Sequence, residues 1–173
     1  MGYFKSPGAR GSELEEMINT TNDLYRRNGV ALVQKIPTPI TPLEMDEKKG
    51  RIKLAYFDKK STVDYIGIAQ GVGIAFDAKE TEELSMPLKN IHDHQVEYMI
   101  DFKKQKGESF FIFYYKAVDK LFIVPIEKYV ELLEKCKEEN RKSISYKEFD
   151  EKYELHIEKG TYINYLNTLN NFL

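Results

Sequence analysis

Two aspartates and a lysine lie within sixteen residues of one another in the segment 61–80. The apolar, β-branched residues on either side of positions 70–71 predict a β-hairpin that turns there. In that register Asp64 lies opposite Asp77, and Lys79 shares a face with Asp77. Carboxylates placed across two strands repel each other, and a hard cation such as Mg²⁺ offsets that repulsion. Because a lysine at this position can stabilise charge developing on phosphorus, the spacing indicates metal-assisted phosphodiester hydrolysis.

A second interpretation of the same three residues is an edge hairpin with solvated charges. Charged residues make up 31% of the chain, so such a grouping also arises without any catalytic role. A slip of the strand register by one residue would turn one carboxylate away from the other. The three residues alone therefore leave catalysis and a solvated surface both open.

The elements that would position these residues follow from hydrophobic spacing. Near-continuous apolar runs at 110–115 and 121–125 predict central strands covered on both faces, and 126–138 predicts a surface helix. A strand is expected at 30–35 and a terminal amphipathic helix within 162–173. The predicted fold class is α/β, with a mixed central β-sheet flanked by helices.

The first helix is expected to begin at Ser12 and to end near Gly29. Ser12 and Glu15 form a capping-box pattern, in which the Glu15 carboxylate bonds the backbone at the start of the helix. The alternative is that Glu15 approaches the proposed metal site as an accessory acid.

A further helix is expected to begin at Pro87 and to carry Gln95 near its apolar face. An amide there is either aimed at a metal ion or its bound water, or is an ordinary amide bonded to backbone at the edge of the core. His92 and His94 would face opposite sides of such a helix, which argues against a zinc site. His92 is instead a candidate contact for a DNA phosphate, and the charged loop at 141–143 is either a phosphate-binding loop or a solvated one.

The segment 36–60 has the composition of a projecting insertion. Three closely spaced prolines, Pro37, Pro39 and Pro42, favour an extended, semi-rigid chain. The segment is too polar and proline-rich for a core strand, so we expect a stalk that projects from the fold, with an ordinary solvated hairpin as the alternative. Its basic residues suit contacts with phosphates. They include Lys48, Lys49, Arg51, Lys53 and Lys60.

The composition fits one globular domain spanning 1–173, with 42% hydrophobic and 13% aromatic residues. Cys136, the single cysteine, cannot form an internal disulfide. The sequence has neither a cationic-then-apolar leader nor a run long enough to span a membrane, so a cytoplasmic protein is expected.

The net charge is −2, yet residues 1–60 hold 11 Lys and Arg against 8 Asp and Glu. Phosphate binding depends on such local excesses of cations rather than on the total charge.

Several short motifs, in chain order, resemble the RecU family of Holliday junction resolvases from Gram-positive bacteria and their phages. The hairpin pattern itself is similar to that of the PD-(D/E)xK nuclease superfamily. The motifs are RG at 10–11, LE at 14–15, INTTN at 18–22, KIPTPI at 35–40, AYF at 55–57, STVDYIG at 61–67, FDAKET at 76–81, PLKNIHDHQ at 87–95 and RKSI at 141–144. They run from residue 10 to about residue 150, which is nearly the whole chain.

The resemblance implies a restriction-endonuclease-like fold and a Mg²⁺-dependent endonuclease, with Mn²⁺ as an alternative ion, that cuts four-way DNA junctions as a homodimer. By position it implies that Thr62, Asp64, Asp77 and Gln95 form the metal site and that Lys79 stabilises the transition state. It also implies that the stalk enters the junction centre.

Two positions depart from the family pattern, which usually has Glu at position 77 and often Thr at position 63. This chain has Asp77 and Val63. Asp is one methylene shorter than Glu and keeps the charge, so activity remains the expectation. Arg10, in the first motif, and His92 join the basic residues of the stalk as expected DNA contacts.

The sequence therefore predicts a single nuclease domain, 1–173, with a stalk insertion at 36–60. Its expected function is the resolution of four-way junctions by paired nicks in recombination and repair, with a recombinase as a further expected partner. Symmetric cutting requires two active sites, so a homodimer is expected. One alternative is a relaxed duplex endonuclease of the same superfamily, against which the stalk argues. The other is a non-catalytic junction-binding or recombinase-modulating protein, against which the intact Asp64, Asp77 and Lys79 argue.

Overall fold

A computed structural model describes residues 12–57, 62–158 and 162–173 of the chain. Its helices are α1 (Glu13–Arg27), α2 (Asp93–Lys104), α3 (Ile126–Glu138) and α4 (Tyr165–Leu169). Its strands are β1 (Ala31–Lys35), β2 (Ile40–Asp46), β3 (Arg51–Phe57), β4 (Tyr65–Ala69), β5 (Val72–Thr81), β6 (Ser85–Pro87), β7 (Glu108–Tyr115), β8 (Lys120–Pro125), β9 (Ser143–Ser145), β10 (Glu154–Leu155), β11 (Ile157–Glu158) and β12 (Tyr162–Ile163).

Six strands form the main sheet, in the order β1-β4-β5-β7-β8-β10. Strand β5 runs antiparallel to β4 and parallel to β7, and the other neighbouring pairs are antiparallel. A parallel pair needs a crossover connection, which here contains α2. The mixed sheet confirms the predicted fold class.

Apolar cores lie on both faces of this sheet and explain the continuous apolar runs in the sequence. Along β7, the even-numbered residues 110–114 pack in one core with residues of α1 and α4. The odd-numbered residues 111–115 pack in a second core with residues of α2 and α3. A strand buried on both faces carries apolar side chains at every position, as predicted for 110–115.

The hairpin of β4 and β5 has the register that the sequence predicts. Tyr65 pairs with Phe76, and Ala69 pairs with Val72 across a two-residue loop. Gln70 and Gly71 in that loop have φ angles of 49° and 90°. Positive φ at both positions is typical of the type I′ turn, whose twist matches that of the flanking strands.

The predicted start of a helix at Pro87 is wrong. Pro87 ends β6, a 3₁₀ turn follows at Leu88–Asn90, and α2 begins only at Asp93. Strand β6 pairs with β9, more than fifty residues further along the chain, and local spacing does not reveal that contact. Helix α3, by contrast, has the predicted bounds.

The predicted terminal helix within 162–173 is correct only for α4 and the 3₁₀ turn Asn170–Phe172. The residues before it form β12, which pairs with β11 in a small separate sheet. Ile163 N donates a hydrogen bond to the buried Thr21 hydroxyl of α1, 3.0 Å away. This bond to a distant helix favours the extended conformation over a longer helix.

Strands β2 and β3 form a two-stranded sheet separate from the main one. The register is irregular on either side of Glu44, which follows Pro42 with one residue between them. Pro42 lacks the N–H that a regular ladder requires. Most side chains of this hairpin are exposed, including the apolar Leu43 and Met45. This exposure fits both a projecting stalk and an ordinary solvated hairpin, so the stalk stays a prediction, and residues 58–60 of the predicted insertion lie outside the described residues.

Substitution of Gly67 is expected to separate β1 from β4. A Cβ at Gly67 would lie 2.4 Å from Leu32 O and 2.7 Å from Val33 Cα, both backbone atoms of β1. We expect Gly67→Ala to lower the free energy of unfolding by about 3 kcal/mol, measured by urea denaturation. The neighbouring Ile68 is half exposed, and Ile68→Ala should change the free energy of unfolding by less than about 1 kcal/mol. Equal effects of the two substitutions would show that β1 adapts to the added methyl group.

Among the described helices, none combines the length and the apolar character needed to cross a membrane.

Candidate active site

The two aspartates of the hairpin lie opposite each other, as the sequence predicts. Asp64 immediately precedes β4, and Asp77 lies in β5 next to the first pair of the ladder. Asp64 N donates a hydrogen bond to Asp77 Oδ1 over 3.1 Å, and Ala78 N donates to Asp64 Oδ2 over 3.2 Å. Each carboxylate is thus held by the backbone of the opposite strand, which fixes both side chains.

Lys79 lies on the same face of β5 as Asp77. Its Nζ atom is 2.5 Å from Asp77 Oδ2. Asp77 is fully buried, whereas the Lys79 side chain is 16% exposed. Lys79 therefore lies between the buried carboxylate and solvent, where a phosphate could approach its ammonium group.

Burial changes the acidity of Asp77. Loss of hydration raises the pKa of this carboxyl to about 7, although Lys79 opposes the rise, and the charge of Asp64 adds to it. Among the described residues, the contact of Asp77 Oδ2 is with the Lys79 ammonium group, and no other hydrogen-bond partner reaches it. A divalent cation would have to share this oxygen with Lys79 or displace it.

Gln95 contacts Asp77 from α2. The amide is 5% exposed, and its Nε2 donates to Asp77 Oδ1 over 2.8 Å. Its Oε1 accepts a hydrogen bond from His92 N over 3.4 Å at the start of the helix. The side chain therefore links the helix terminus to the buried carboxylate. If the amide group rotated by half a turn, Oε1 rather than Nε2 would face the two carboxylates.

The donor set fits Mg²⁺. Asp64 and Asp77 offer hard oxygens from two directions, and Mg²⁺ in proteins is commonly held by one or two carboxylates while it keeps several waters. Among residues 12–57, 62–158 and 162–173, no group of three or more His, Cys, Asp or Glu side chains could hold a metal ion. Asp64 and Asp77 would hold the ion, and Gln95 is positioned to assist.

Among the described residues, neither Thr62 nor Glu15, the other two predicted near the metal, makes a hydrogen bond or ion pair with Asp64 or Asp77. Thr62 is exposed and lies two residues before Asp64. The Glu15 carboxylate pairs with Lys35 Nζ at 2.8 Å, rather than forming the return bond of a capping box. Burial, followed by the charge of Glu15, raises the pKa of the Tyr65 phenol well above its usual range. The charge of Glu15 therefore acts on Tyr65, the residue that follows Asp64.

Two contacts that support the site were not predicted. Tyr65 is fully buried, and its hydroxyl donates to Asn19 Oδ1 of α1 over 3.2 Å. Glu80 accepts a hydrogen bond from Leu14 N over 3.3 Å and pairs with Lys116 Nζ at 3.0 Å. Both contacts fasten α1 to the strands that carry the aspartates. In the sequence, the supporting role of Glu80 is indicated by its position directly after Lys79.

The predicted DNA contacts fall on two surfaces. All the basic side chains of the stalk that the structure describes are exposed, namely those of Lys48, Lys49, Arg51 and Lys53. Arg10 and Lys60 lie outside the described residues. His92 is exposed beside the candidate site. The expectation that His92 and His94 face opposite sides of a helix is wrong, because His92 precedes α2 and the two rings stack with centroids 5.4 Å apart.

The fold and the site together define a mixed α/β protein whose central sheet carries a carboxylate pair and a lysine suited to metal-assisted phosphodiester chemistry. The family model described as recombination protein U matches residues 9–171. The chain belongs to the RecU family.

Relatives of known name support this assignment. The Holliday junction resolvase RecU of Pediococcus pentosaceus is 37% identical over 96% of this chain and 85% of its own length. That of Leuconostoc citreum is 39% identical over 82% of this chain and 70% of its own length, and that of Staphylococcus carnosus is 36% identical over 96% and 82%. Among solved structures, the Holliday junction resolvase Hjc of Archaeoglobus fulgidus aligns with a TM-score of 0.39 and 12% identity, over 67% of this chain and 75% of that one.

Proposed function

We propose that the chain is a Mg²⁺-dependent endonuclease that resolves four-way DNA junctions by paired nicks in recombination and repair. Membership of the RecU family and relatives named Holliday junction resolvase RecU support the substrate. The observation that carries the chemistry is the fully buried Asp77, held opposite Asp64 and paired with Lys79. A surface hairpin with solvated charges would not bury one carboxylate against another.

The roles of the residues follow from their positions. When bound, a divalent ion supplies Lewis acidity at the scissile phosphate and lowers the pKa of a coordinated water. Asp64 and Asp77 would bind that ion, and their hydrogen bonds with the backbone keep both carboxylates in place. Lys79 places its ammonium group where charge develops on the phosphate oxygens. Gln95 orients Asp77 through the bond to Oδ1.

Paired nicks require two active sites, so we infer a homodimer. We also infer that it acts in the cytoplasm. The exposed hairpin of β2 and β3 is the proposed junction-contacting stalk. Mn²⁺ is the alternative ion because it accepts the same oxygen ligands. A recombinase partner stays a prediction.

The direct test uses a labelled synthetic four-way junction and a linear duplex of matched sequence, each incubated with the protein in Mg²⁺ and in EDTA. Paired nicks in the junction alone, dependent on Mg²⁺, are the expected result. Equal cutting of the duplex would favour a relaxed nuclease. Tight junction binding with no cutting in Mg²⁺ or Mn²⁺ would favour the binding-only alternative.

The stalk should contribute affinity without contributing stability. We expect Lys48→Gln, Lys49→Gln, Arg51→Gln and Lys53→Gln, combined in one variant, to weaken junction binding at least about tenfold and to flatten its salt dependence. The thermal midpoint should change little, because all four side chains are exposed. Binding titrations on junction and duplex, beside a melting curve, measure both effects. Unchanged junction affinity and an unchanged salt dependence would remove the stalk from the proposal.

A further inference from the structure

A cavity of about 490 Å³ opens between the end of β6 and the turn that precedes β9. Its described lining consists of Pro87, Leu88, Lys89, Arg141 and Lys142, and we call it the basic cavity. Three of these five residues are cations and none is an acid. The proposed function described above assigns no role to any of them.

The walls of the basic cavity are held by backbone contacts. Pro87 pairs with Ser143 in the short sheet of β6 and β9, and Leu88 N donates to Lys142 O over 3.0 Å. Arg141 N donates to Cys136 O over 2.7 Å, which ties the second wall to α3. The cations therefore extend from a braced backbone rather than from a free loop.

Arg141 has spare hydrogen-bonding capacity. Its Nε is 2.5 Å from a Glu139 oxygen, and its Nη1 is 2.9 Å from a Glu148 oxygen. Its Nη2 is buried and has no hydrogen-bond partner among the described residues. A buried guanidinium nitrogen without an acceptor is costly, but Arg141 already pairs with two carboxylates, so most of the positive charge available to a ligand of the cavity comes from its two lysines.

The two lysines add uncompensated charge. Neither Lys89 nor Lys142 pairs with an acid within the described part of the chain. Both are exposed, so their ammonium groups can reach a ligand that remains partly in solvent. A planar guanidinium with two mobile ammonium groups is suited to a phosphate, and the apolar wall of Pro87 and Leu88 suits the sugar beside it.

The basic cavity lies close to the candidate active site along the chain. Lys89 is six residues before Gln95, whose amide contacts Asp77. Six residues span at most about 22 Å when fully extended, and the 3₁₀ turn and the first turn of α2 shorten that distance. The backbones of Lys89 and Gln95 are therefore no more than about 22 Å apart. The exposed His92 lies between them in sequence.

We propose that the basic cavity binds a backbone phosphate of the DNA strand that is cut, near the scissile bond. The inference rests on the proposed function, because it places the cavity and the carboxylates on one strand. Free phosphate has the same chemistry, but two exposed lysines beside an apolar wall favour a ligand that extends beyond the cavity. This contact would fix the register of the strand over Asp64 and Asp77.

The test compares Lys89→Gln combined with Lys142→Gln against a control that removes the same charge elsewhere. The control combines Lys104→Gln, at the far end of α2, with Lys152→Gln, next to the edge strand β10. Junction binding is measured in EDTA at a series of salt concentrations, so that no cutting occurs. We expect affinity at low salt to fall at least about tenfold and the slope of log affinity against log salt to decrease by about 1–2, with neither effect in the control.

Each other outcome has a defined meaning. A slope and an affinity equal to those of the control would overturn the contact. Titration with inorganic phosphate, followed at the amides of Leu88 and Lys142 by NMR, separates the two sources of phosphate. Saturation by free phosphate with an unchanged DNA slope would assign the cavity to the free ion and overturn the proposal. Loss of cutting in the unmodified protein with DNA binding intact would overturn the proposed function alone, because this test measures only binding.

Discussion

Asp77→Asn is expected to reduce junction cleavage by more than about 1000-fold while leaving junction binding within about threefold of the unmodified protein. The neutral amide keeps an oxygen for the bonds from Asp64 N and Gln95 Nε2 but removes the charge that would hold the metal ion. Single-turnover cleavage in Mg²⁺ and binding in EDTA, on the same junction, measure the two effects.

Two controls accompany this variant. Asp77→Glu introduces the residue that the family resemblance leads us to expect at this position, and its cleavage rate should remain within about tenfold because the charge and both oxygens are kept; the added methylene is expected to cost stability, about 1–3 kcal/mol in a packed site. Asp101→Asn removes an exposed acid that pairs with Lys104 on α2, and cleavage should not change. Full cleavage by Asp77→Asn would remove Asp77 from the active site.

The same Asp77→Asn variant should be more stable than the unmodified protein when no metal is present. The pKa of Asp77 rises from 3.8 to about 7 on folding, so the folded state keeps a proton that the unfolded state has lost between those values. Stability from this group is full below pH 4 and is lost as pH rises through 7. We expect the variant to gain on the order of 4 kcal/mol at pH 8 in EDTA, about 1.4 kcal/mol for each pH unit between 3.8 and 7, and little at pH 4; the opposing effect of Lys79 is already included in the pKa. Melting curves at the two pH values test this, and an equal difference at both would contradict it.

Lys79→Gln is expected to slow cleavage by about 100–1000-fold, with junction binding in EDTA nearly unchanged. The amide can still donate a hydrogen bond, but it carries no charge to stabilise the phosphate in the transition state. Lys120→Gln is the matched control, because Lys120 pairs with Glu154 between β8 and the edge strand β10. A cleavage rate for Lys79→Gln equal to that of the control would show that Lys79 serves only to pair with Asp77.

Local signals predicted the parts of the fold that depend on neighbouring residues. The type I′ turn at Gln70 and Gly71 fixes the hairpin register, and that register alone places Asp64 opposite Asp77. The Ser12 hydroxyl accepts a hydrogen bond from Glu15 N, as its capping pattern indicates. The apolar periodicity of 126–138 predicts both ends of α3.

The parts that could not be predicted depend on contacts between distant segments. The start of α2 at Asp93 follows from the pairing of β6 with β9, and the wrong helix start at Pro87 also misplaced His92. The complete burial of Asp77 arises from β7 and α2, neither of which is near it in sequence. The ion pair of Glu15 with Lys35 depends on the packing of α1 beside β1. The metal roles of Thr62, Asp64, Asp77 and Gln95 and the catalytic role of Lys79 stay predictions.

The parallel pairing of β5 with β7 has a consequence for the order in which the protein acquires its chemistry. The hairpin brings Asp64 and Asp77 together over 13 residues, whereas the burial of Asp77 requires its alignment with Phe111 through a crossover. Short loops close before long ones, so the two acids meet first as ordinary solvated carboxylates. The raised proton affinity of Asp77 appears only when β7 and α2 dock. As the chain emerges from the ribosome, both aspartates and Lys79 are therefore exposed to solvent before β7 and α2 complete the active site.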